Sequence, residues 1–304
     1  MTLADAPVTT QTMGELLAAT SAALGSPQEA RWIVAHAAGI GSGDLLARRD
    51  VAVDPATSDA VAALVTRRVA GEPLQYVLGT WAFRTIELCV DPRVLIPRPE
   101  TEHVVTVVLD ELGAQARPLP VGATLVAADL GTGSGAIALS IAKEFDPSDS
   151  LEVWATDVSD EALELFGRNL TALTNHPDAQ ARVHVAQGSW FDALPTEVAG
   201  RLALVVANPP YVSESEWRSL DRAVRDHEPK VALVPGATGL EAIDVIVEQA
   251  RHWLAPGGSL VVELAPGQAR WAENRAIELG YGYADIRDDL AGRHRMLVAR
   301  LPHA

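Results

Sequence analysis

From Gln11 to Gly79 apolar residues recur three and four positions apart, and nothing there alternates as a strand does. Residues 11–79 therefore read as helices only. The run QTMGELLAATSAAL sets Met13, Leu16, Leu17, Ala22 and Leu24 near helical spacing. Ser26-Pro27-Gln28-Glu29 follows, with a serine cap, proline at the first helical position and glutamate three residues on. The helix it opens carries Ala30, Ile33, Val34 and Ala37 on one face. A third helix is expected after Asp54-Pro55, running to Gly71. Short amphipathic helices are marginal alone in water, so they should pack as a small bundle.

The pattern changes at Gly79. WAFRTIELCVDPRVLIPRP alternates, with β-branched and aromatic residues on both sides of Asp91-Pro92, and reads as a hairpin or extended linker. Beyond Glu100 strand-like and helix-like segments take turns. Strands are expected at 124–130, 151–157, 182–188, 202–208, 259–265 and 296–301. ALSIAKEF, EALELFGRNLTAL, LEAIDVIVEQARHWL and QARWAENRAIELG fit as helices between them. Such alternation predicts an α/β, Rossmann-like domain, a parallel sheet with helices on both faces. The domain boundaries read as 1–79 helical, 80–99 hairpin or linker, and 100–304 α/β, with 113–122 as a loop.

Composition narrows the partners. Of 304 residues, 24 are basic and 40 acidic, a formal charge of −16, and lysine occurs only at Lys143 and Lys230. Duplex nucleic acid is gripped through phosphates by basic faces, so no direct nucleic-acid contact is expected, nor binding to an anionic membrane. Cys89 is the only cysteine, which excludes an intramolecular disulfide and fits a reducing cytosol. MTLADAPVTT lacks a basic stretch followed by an apolar core, so it does not read as a secretory signal, and a cytoplasmic, monomeric protein is expected. The eight histidines show no metal-ligand spacing, so no metal is expected. Glu161, Glu164, Asp221 and Asp226 read as solvated helix faces.

Asp129-Leu130-Gly131-Thr132-Gly133-Ser134-Gly135 follows a strand and opens a helix. Glycines suit a tight turn that a ligand approaches closely. Gly131, Gly133 and Ala136 satisfy a dinucleotide fingerprint; Gly131, Gly133 and Gly135 satisfy the spacing of S-adenosylmethionine sites. About 20 residues further, Asp157 ends the second strand, where a carboxylate can accept hydrogen bonds from both ribose hydroxyls. The strand at 182–188 runs into Gly188-Ser189-Trp190-Phe191-Asp192, and Trp190 is a candidate to lie on an adenine face, with Phe191 the better candidate for core.

Strand 202–208 ends in Asn208-Pro209-Pro210-Tyr211, the most specific feature of the chain. Two prolines remove two backbone donors and fix φ, leaving carbonyl oxygens rigidly displayed. The Asn208 side chain and the Pro209 carbonyl make a pair of neutral acceptors for an NH₂ group, on which Tyr211 can stack. That suits methyl transfer to an amide or aromatic amine. An amide nitrogen attacks poorly, and holding both N–H bonds orients it and stabilises its developing positive charge. An adenine-N6 methyltransferase acting on DNA or RNA is the alternative, since a flipped base offers the same NH₂. A nicotinamide dehydrogenase or a non-catalytic nucleotide-binding module would account for the glycine loop but not for the two prolines.

These residues resemble the HemK/PrmC protein-(glutamine-N5) methyltransferases over nearly the whole chain. Gly71-Glu72-Pro73-Leu74-Gln75-Tyr76, Ile96-Pro97-Arg98-Pro99-Glu100-Thr101-Glu102, DLGTGSGAIAL, Asp157, Trp190-Phe191, Asn208–Tyr211 and Asp289-Leu290-Ala291-Gly292-Arg293 follow in family order. The resemblance implies a seven-stranded S-adenosyl-L-methionine-dependent domain, joined through a hairpin to an N-terminal helical domain that helps grip the substrate. It implies class 1 peptide chain release factors as that substrate, methylated on the glutamine of a Gly-Gly-Gln motif. Gly131, Thr132, Gly133, Ser134, Gly135, Asp157, Trp190 and Asn208 would then meet the cofactor. Asn208, Pro209, Pro210 and Tyr211 would meet the glutamine, with Asn208, Pro209 and Tyr211 catalytic. Ser189 departs from the family, which often has an acidic residue there.

Overall fold

The computed structural model describes residues 11–116, 123–146 and 150–303. The N-terminal decapeptide, including the stretch read for a secretory signal, lies outside that range. The chain divides into two compact units, one through Gly79 with Arg222–His227, the other Thr80–Asp221 with Glu228 onward.

The first unit opens with α1 (Met13–Leu24), α2 (Pro27–Ala38), α3 (Pro55–Val69) and α4 (Leu74–Leu78). Met13, Leu16, Ile33, Val34, Val61, Leu74 and Val77 form its core. On α1 the buried stripe passes through Thr20, and Ala22 faces solvent, a correction to the expected face. Ser26 caps α2 by accepting the Glu29 N–H at 3.3 Å. The Glu29 carboxylate does not return to the cap; it pairs with Arg68 of α3 at 2.8 Å. A full reciprocal cap forms instead between Thr12 and Glu15 at the start of α1.

The second unit begins with the antiparallel hairpin β1 (Thr80–Phe83) and β2 (Ile86–Cys89). There follow α5 (Thr101–Ala116), β3 (Thr124–Leu130), α6 (Ala136–Glu144), β4 (Ser150–Asp157), α7 (Asp160–Ala172), α8 (Pro177–Ala181) and β5 (Val183–Gln187). Then come β6 (Leu202–Ala207), α9 (Glu214–Trp217), α10 (Arg222–Arg225, of the first unit), α11 (Glu241–Trp253), β7 (Leu254–Glu263), α12 (Ala269–Glu278), β8 (Tyr283–Asp288) and β9 (His294–Arg300). Among the described residues seven strands form one sheet, in the order β5-β4-β3-β6-β7-β9-β8.

Three expectations need correction. The sheet is not wholly parallel: β9 runs antiparallel to both its neighbours. A five-residue turn, 289–293, joins β8 to β9, and so short a connection can only make a hairpin. β8 itself escaped the sequence pattern because it is an edge strand, half-exposed along its length and interrupted by charge. Residues 101–116 form a helix rather than leading into a loop at 113. Val104, Val105, Val108 and Leu112 supply its buried face, but β-branched residues and the preceding prolines masked the helical signal. Residues 117–122 of that connection lie outside the described range.

Candidate active site

β3 lies between β4 and β6, and the chain leaves it outward toward β4 and β5, then returns to build β6 and β7 on the other side. Ligands of open α/β sheets bind at such a reversal, beyond the carboxyl ends of the strands. Leu130 pairs with Ala207, so the glycine loop and the Asn-Pro-Pro-Tyr turn start side by side at this edge. A cavity of about 460 Å³ opens there, lined by Gly131–Ser134, Asp157, Ser189, Trp190, Asn208 and Pro210. Gly135, Pro209 and Tyr211 do not line it.

The loop is held from below. The Gly131 and Thr132 N–H groups both donate to the Thr156 carbonyl at 2.8 Å. Gly133 N–H donates to Asp157 Oδ2 at 2.9 Å, and Ser159 N–H to Asp157 Oδ1 at 3.0 Å. Asp157 is thus fixed in place, with lone pairs left for two hydroxyls. Behind the loop, Asp129 accepts from the Thr132 hydroxyl at 2.7 Å and the Ala138 N–H at 3.0 Å. Complete burial pushes its carboxyl up to about 7.

This arrangement distinguishes the two cofactor classes. A pyrophosphate needs free N–H groups and positive potential at the helix start. Here the Gly131, Thr132 and Gly133 N–H groups are engaged, and the Asp129 carboxylate of β3 already accepts from the Ala138 N–H in the first turn of α6. Asp157 and Glu241 add acidic groups to the lining. The lining cation, Arg93, is already paired with Asp91 at 2.6 Å. A cationic sulfonium fits this surface and a diphosphate does not.

Gly135 has a packing role. Its φ is +88°, and a Cβ would lie 2.6 Å from Phe166 Cδ2 and 2.9 Å from Leu139 Cδ1. Gly135→Ala is expected to cost about 1–3 kcal/mol through overcrowding, read as a lowered Tm. Trp190 adopts a left-handed φ of +47°, and its Cζ3 would be 3.5 Å from a Cβ on Gly131. That puts the indole against the loop. Phe191, by contrast, is core, stacked on Trp253 at 5.7 Å.

At the turn, Asn208 Nδ2 donates to Thr101 Oγ1 at 3.4 Å, and the Thr101 hydroxyl donates to Glu263 Oε2 at 2.7 Å. Asn208 Oδ1 is buried and has no hydrogen-bond partner. Buried polar atoms are nearly always paired, so an orphaned acceptor on a residue that lines the cavity is a candidate partner for a ligand donor. Pro209 is buried. Tyr211 packs against the core of the sheet, and burial, with the nearby Glu263 charge, pushes its hydroxyl up to about 12. Its carbonyl accepts from Gln268 Nε2 at 2.9 Å, and that nitrogen also donates to the Gly239 carbonyl at 3.0 Å. Gly239 approaches so closely, at φ +82°, that a Cβ would fall 2.5 Å from the Tyr211 oxygen.

Sequence reasoning did not single out Thr101, Glu263 or Gln268. Glu263 left one signal, an acid closing an otherwise apolar strand; register sets Val262 opposite Ala207 and so Glu263 beside Asn208. Burial pushes its carboxyl up to about 7. Arg98 pairs with the buried Glu228 at 2.6 Å, and Glu100 lies 3.5 Å from Arg295.

Residues 15–79 match the PrmC N-terminal domain, and residues 115–225 match the Methyltransferase small domain. The release factor glutamine methyltransferase of Burkholderia pseudomallei is 38% identical over 276 residues, covering 90% of this chain and 92% of its own. That of Streptomyces coelicolor is 40% identical over 244 residues, covering 78% and 79%. The chain belongs to the release factor glutamine methyltransferase family. Among solved structures, a methyltransferase from Pyrococcus furiosus superposes with a TM-score of 0.50 at 18% identity, over 79% of this chain and 98% of its own. The hMettl16 catalytic domain, in complex with the MAT2A 3′UTR hairpin 1, reaches 0.53 at 16%, over 79% and 81%. At that identity the likeness is one of fold.

Proposed function

We propose that this protein methylates the side-chain amide nitrogen, N5, of the glutamine in the Gly-Gly-Gln motif of class 1 release factors, supporting translation termination. Its methyl donor is S-adenosyl-L-methionine and its product S-adenosyl-L-homocysteine. When bound, the donor supplies an already activated methyl carbon on a sulfonium. The chain's own residues bind and orient. Asp157, pinned by two backbone N–H groups, would accept from the ribose hydroxyls. Trp190, set against the Gly131 loop, would cover the adenine, and Gly131–Gly135 would allow close approach of the cofactor.

The unpartnered Asn208 Oδ1 carries the reading. With the Pro209 carbonyl it takes the two N–H bonds of the substrate amide, aligning the nitrogen with the methyl carbon and stabilising the charge that develops on it. Pro210 lines the pocket beside it, and Tyr211 stacks on the planar amide. The proton lost from nitrogen passes readily to solvent, because an alkylated amide cation is strongly acidic. The helical domain at 1–79 grips the release factor, joined through the 80–99 hairpin to the catalytic domain at 100–304. The protein works as a cytoplasmic monomer.

Incubation with a class 1 release factor and labelled donor tests this. One methyl group is expected on the Gly-Gly-Gln glutamine. Label on DNA or RNA instead would favour the adenine-N6 alternative, which the charge of −16 disfavours.

A further inference from the structure

The acceptor that Asn208 presents is set by two neighbouring residues, Thr101 and Glu263. A primary amide can turn either end toward a cavity, and only the oxygen end is useful against a substrate NH₂. Asn208 Nδ2 donates to Thr101 Oγ1, and Thr101 lies against Glu263 Oε2. A carboxylate can only accept, so the Thr101 hydroxyl must give it its proton. The threonine oxygen is then left as an acceptor, the asparagine NH₂ turns to it, and Oδ1 is the end left without a partner. Glu263 is wholly buried, and its other oxygen, Oε1, has no partner. Burying a carboxyl this way is costly, and neither the sheet nor the cofactor pocket requires it.

We propose that Glu263, acting through Thr101, is a positioning residue that orients the Asn208 amide for methyl transfer. The proposal rests on the reading of Asn208 as the acceptor for the substrate amide. It carries a built-in pH dependence. If Glu263 takes a proton on Oε2, it donates to Thr101. The threonine hydroxyl then turns to Asn208, which must offer it Oδ1, and an NH₂ is left to oppose the substrate NH₂. The charged groups facing Glu263 are Arg295 from β9 and Arg98 and Glu100 from the segment before α5, with the neutral Tyr211 hydroxyl from the turn after β6. Burial outweighs the two arginines and holds the carboxyl up near 7. Methyl transfer should therefore switch on as pH rises through about 7.

Single-turnover methylation of a release factor, followed from about pH 5.5 to about pH 8.5, tests this in the full chain. S-adenosylhomocysteine affinity checks that each variant is folded. The wild type is expected to lose roughly tenfold in rate per pH unit below its midpoint. Glu263→Gln stays neutral, still offers Thr101 a carbonyl oxygen, and should be flat over the range to within about threefold. Thr101→Val should be slowed roughly tenfold or more at about pH 8 with cofactor affinity unchanged. Thr101→Ser should restore both the rate and the acid limb. A Thr101→Val enzyme at wild-type rate, or an acid limb that persists in Glu263→Gln, overturns the proposal. A wild type that binds S-adenosylhomocysteine yet methylates no release factor sinks the functional reading beneath it, a distinct result.

Discussion

Asn208→Ala is expected to lower kcat by about 10²-fold or more, as for other lost preorganised acceptors at a developing charge. S-adenosylhomocysteine affinity should stay within about tenfold of the parent. The separation follows from where the side chain is anchored. Its nitrogen is tied to Thr101, its oxygen is buried without a partner in a residue that lines the cavity, and the glycine loop takes none of its hydrogen bonds from it. Removing the side chain therefore strips the substrate amide of an acceptor while the Asp157 anchor stands. Steady-state kinetics paired with calorimetry measures both. Equal losses in turnover and cofactor binding would mean that Asn208 supports the fold and does not act on the substrate.

Asp157→Ala should show the opposite split. Each charge-assisted hydrogen bond contributes about 1.5–3 kcal/mol, so losing the ribose contacts should weaken cofactor binding on the order of 10²-fold. The carboxylate also holds Gly133 N–H at 2.9 Å, so part of the loss would come from a loosened loop. With saturating donor, kcat should recover to within a few-fold of the parent, because the methyl-transfer residues lie across the crevice on the β6 turn. A kcat that stays low at saturation would place Asp157 in the chemistry.

The hydrophobic pattern carried much of this architecture. Period-four spacing marked the N-terminal helices, and apolar runs marked β3, β4 and β6, because these are core elements whose side chains must be buried. It failed where burial is partial or the local chemistry conflicts. β8 lies at the sheet edge with half its surface in solvent, so its residues need not alternate. α5 is built on valines after a proline-rich turn, and tertiary packing against the sheet overrides its weak propensity.

The site shows the same division. Gly131–Ser134, Asp157 and Asn208 are contiguous motifs at strand ends, so spacing alone reveals them. Thr101 and Glu263 meet Asn208 only through the fold, from 107 residues away in one case and across the β6–β7 register in the other. No linear pattern encodes that meeting. Gly135 satisfies the cofactor spacing, and only the fold shows that its missing side chain also makes room for Phe166.

The most direct measurement is a crystal structure of the protein with S-adenosylhomocysteine and a peptide carrying the Gly-Gly-Gln sequence. The glutamine nitrogen should lie within hydrogen-bonding distance of both Asn208 Oδ1 and the Pro209 carbonyl, on a line with the cofactor sulfur. A glutamine held elsewhere, or Oδ1 turned away from the sulfur, would contradict the account.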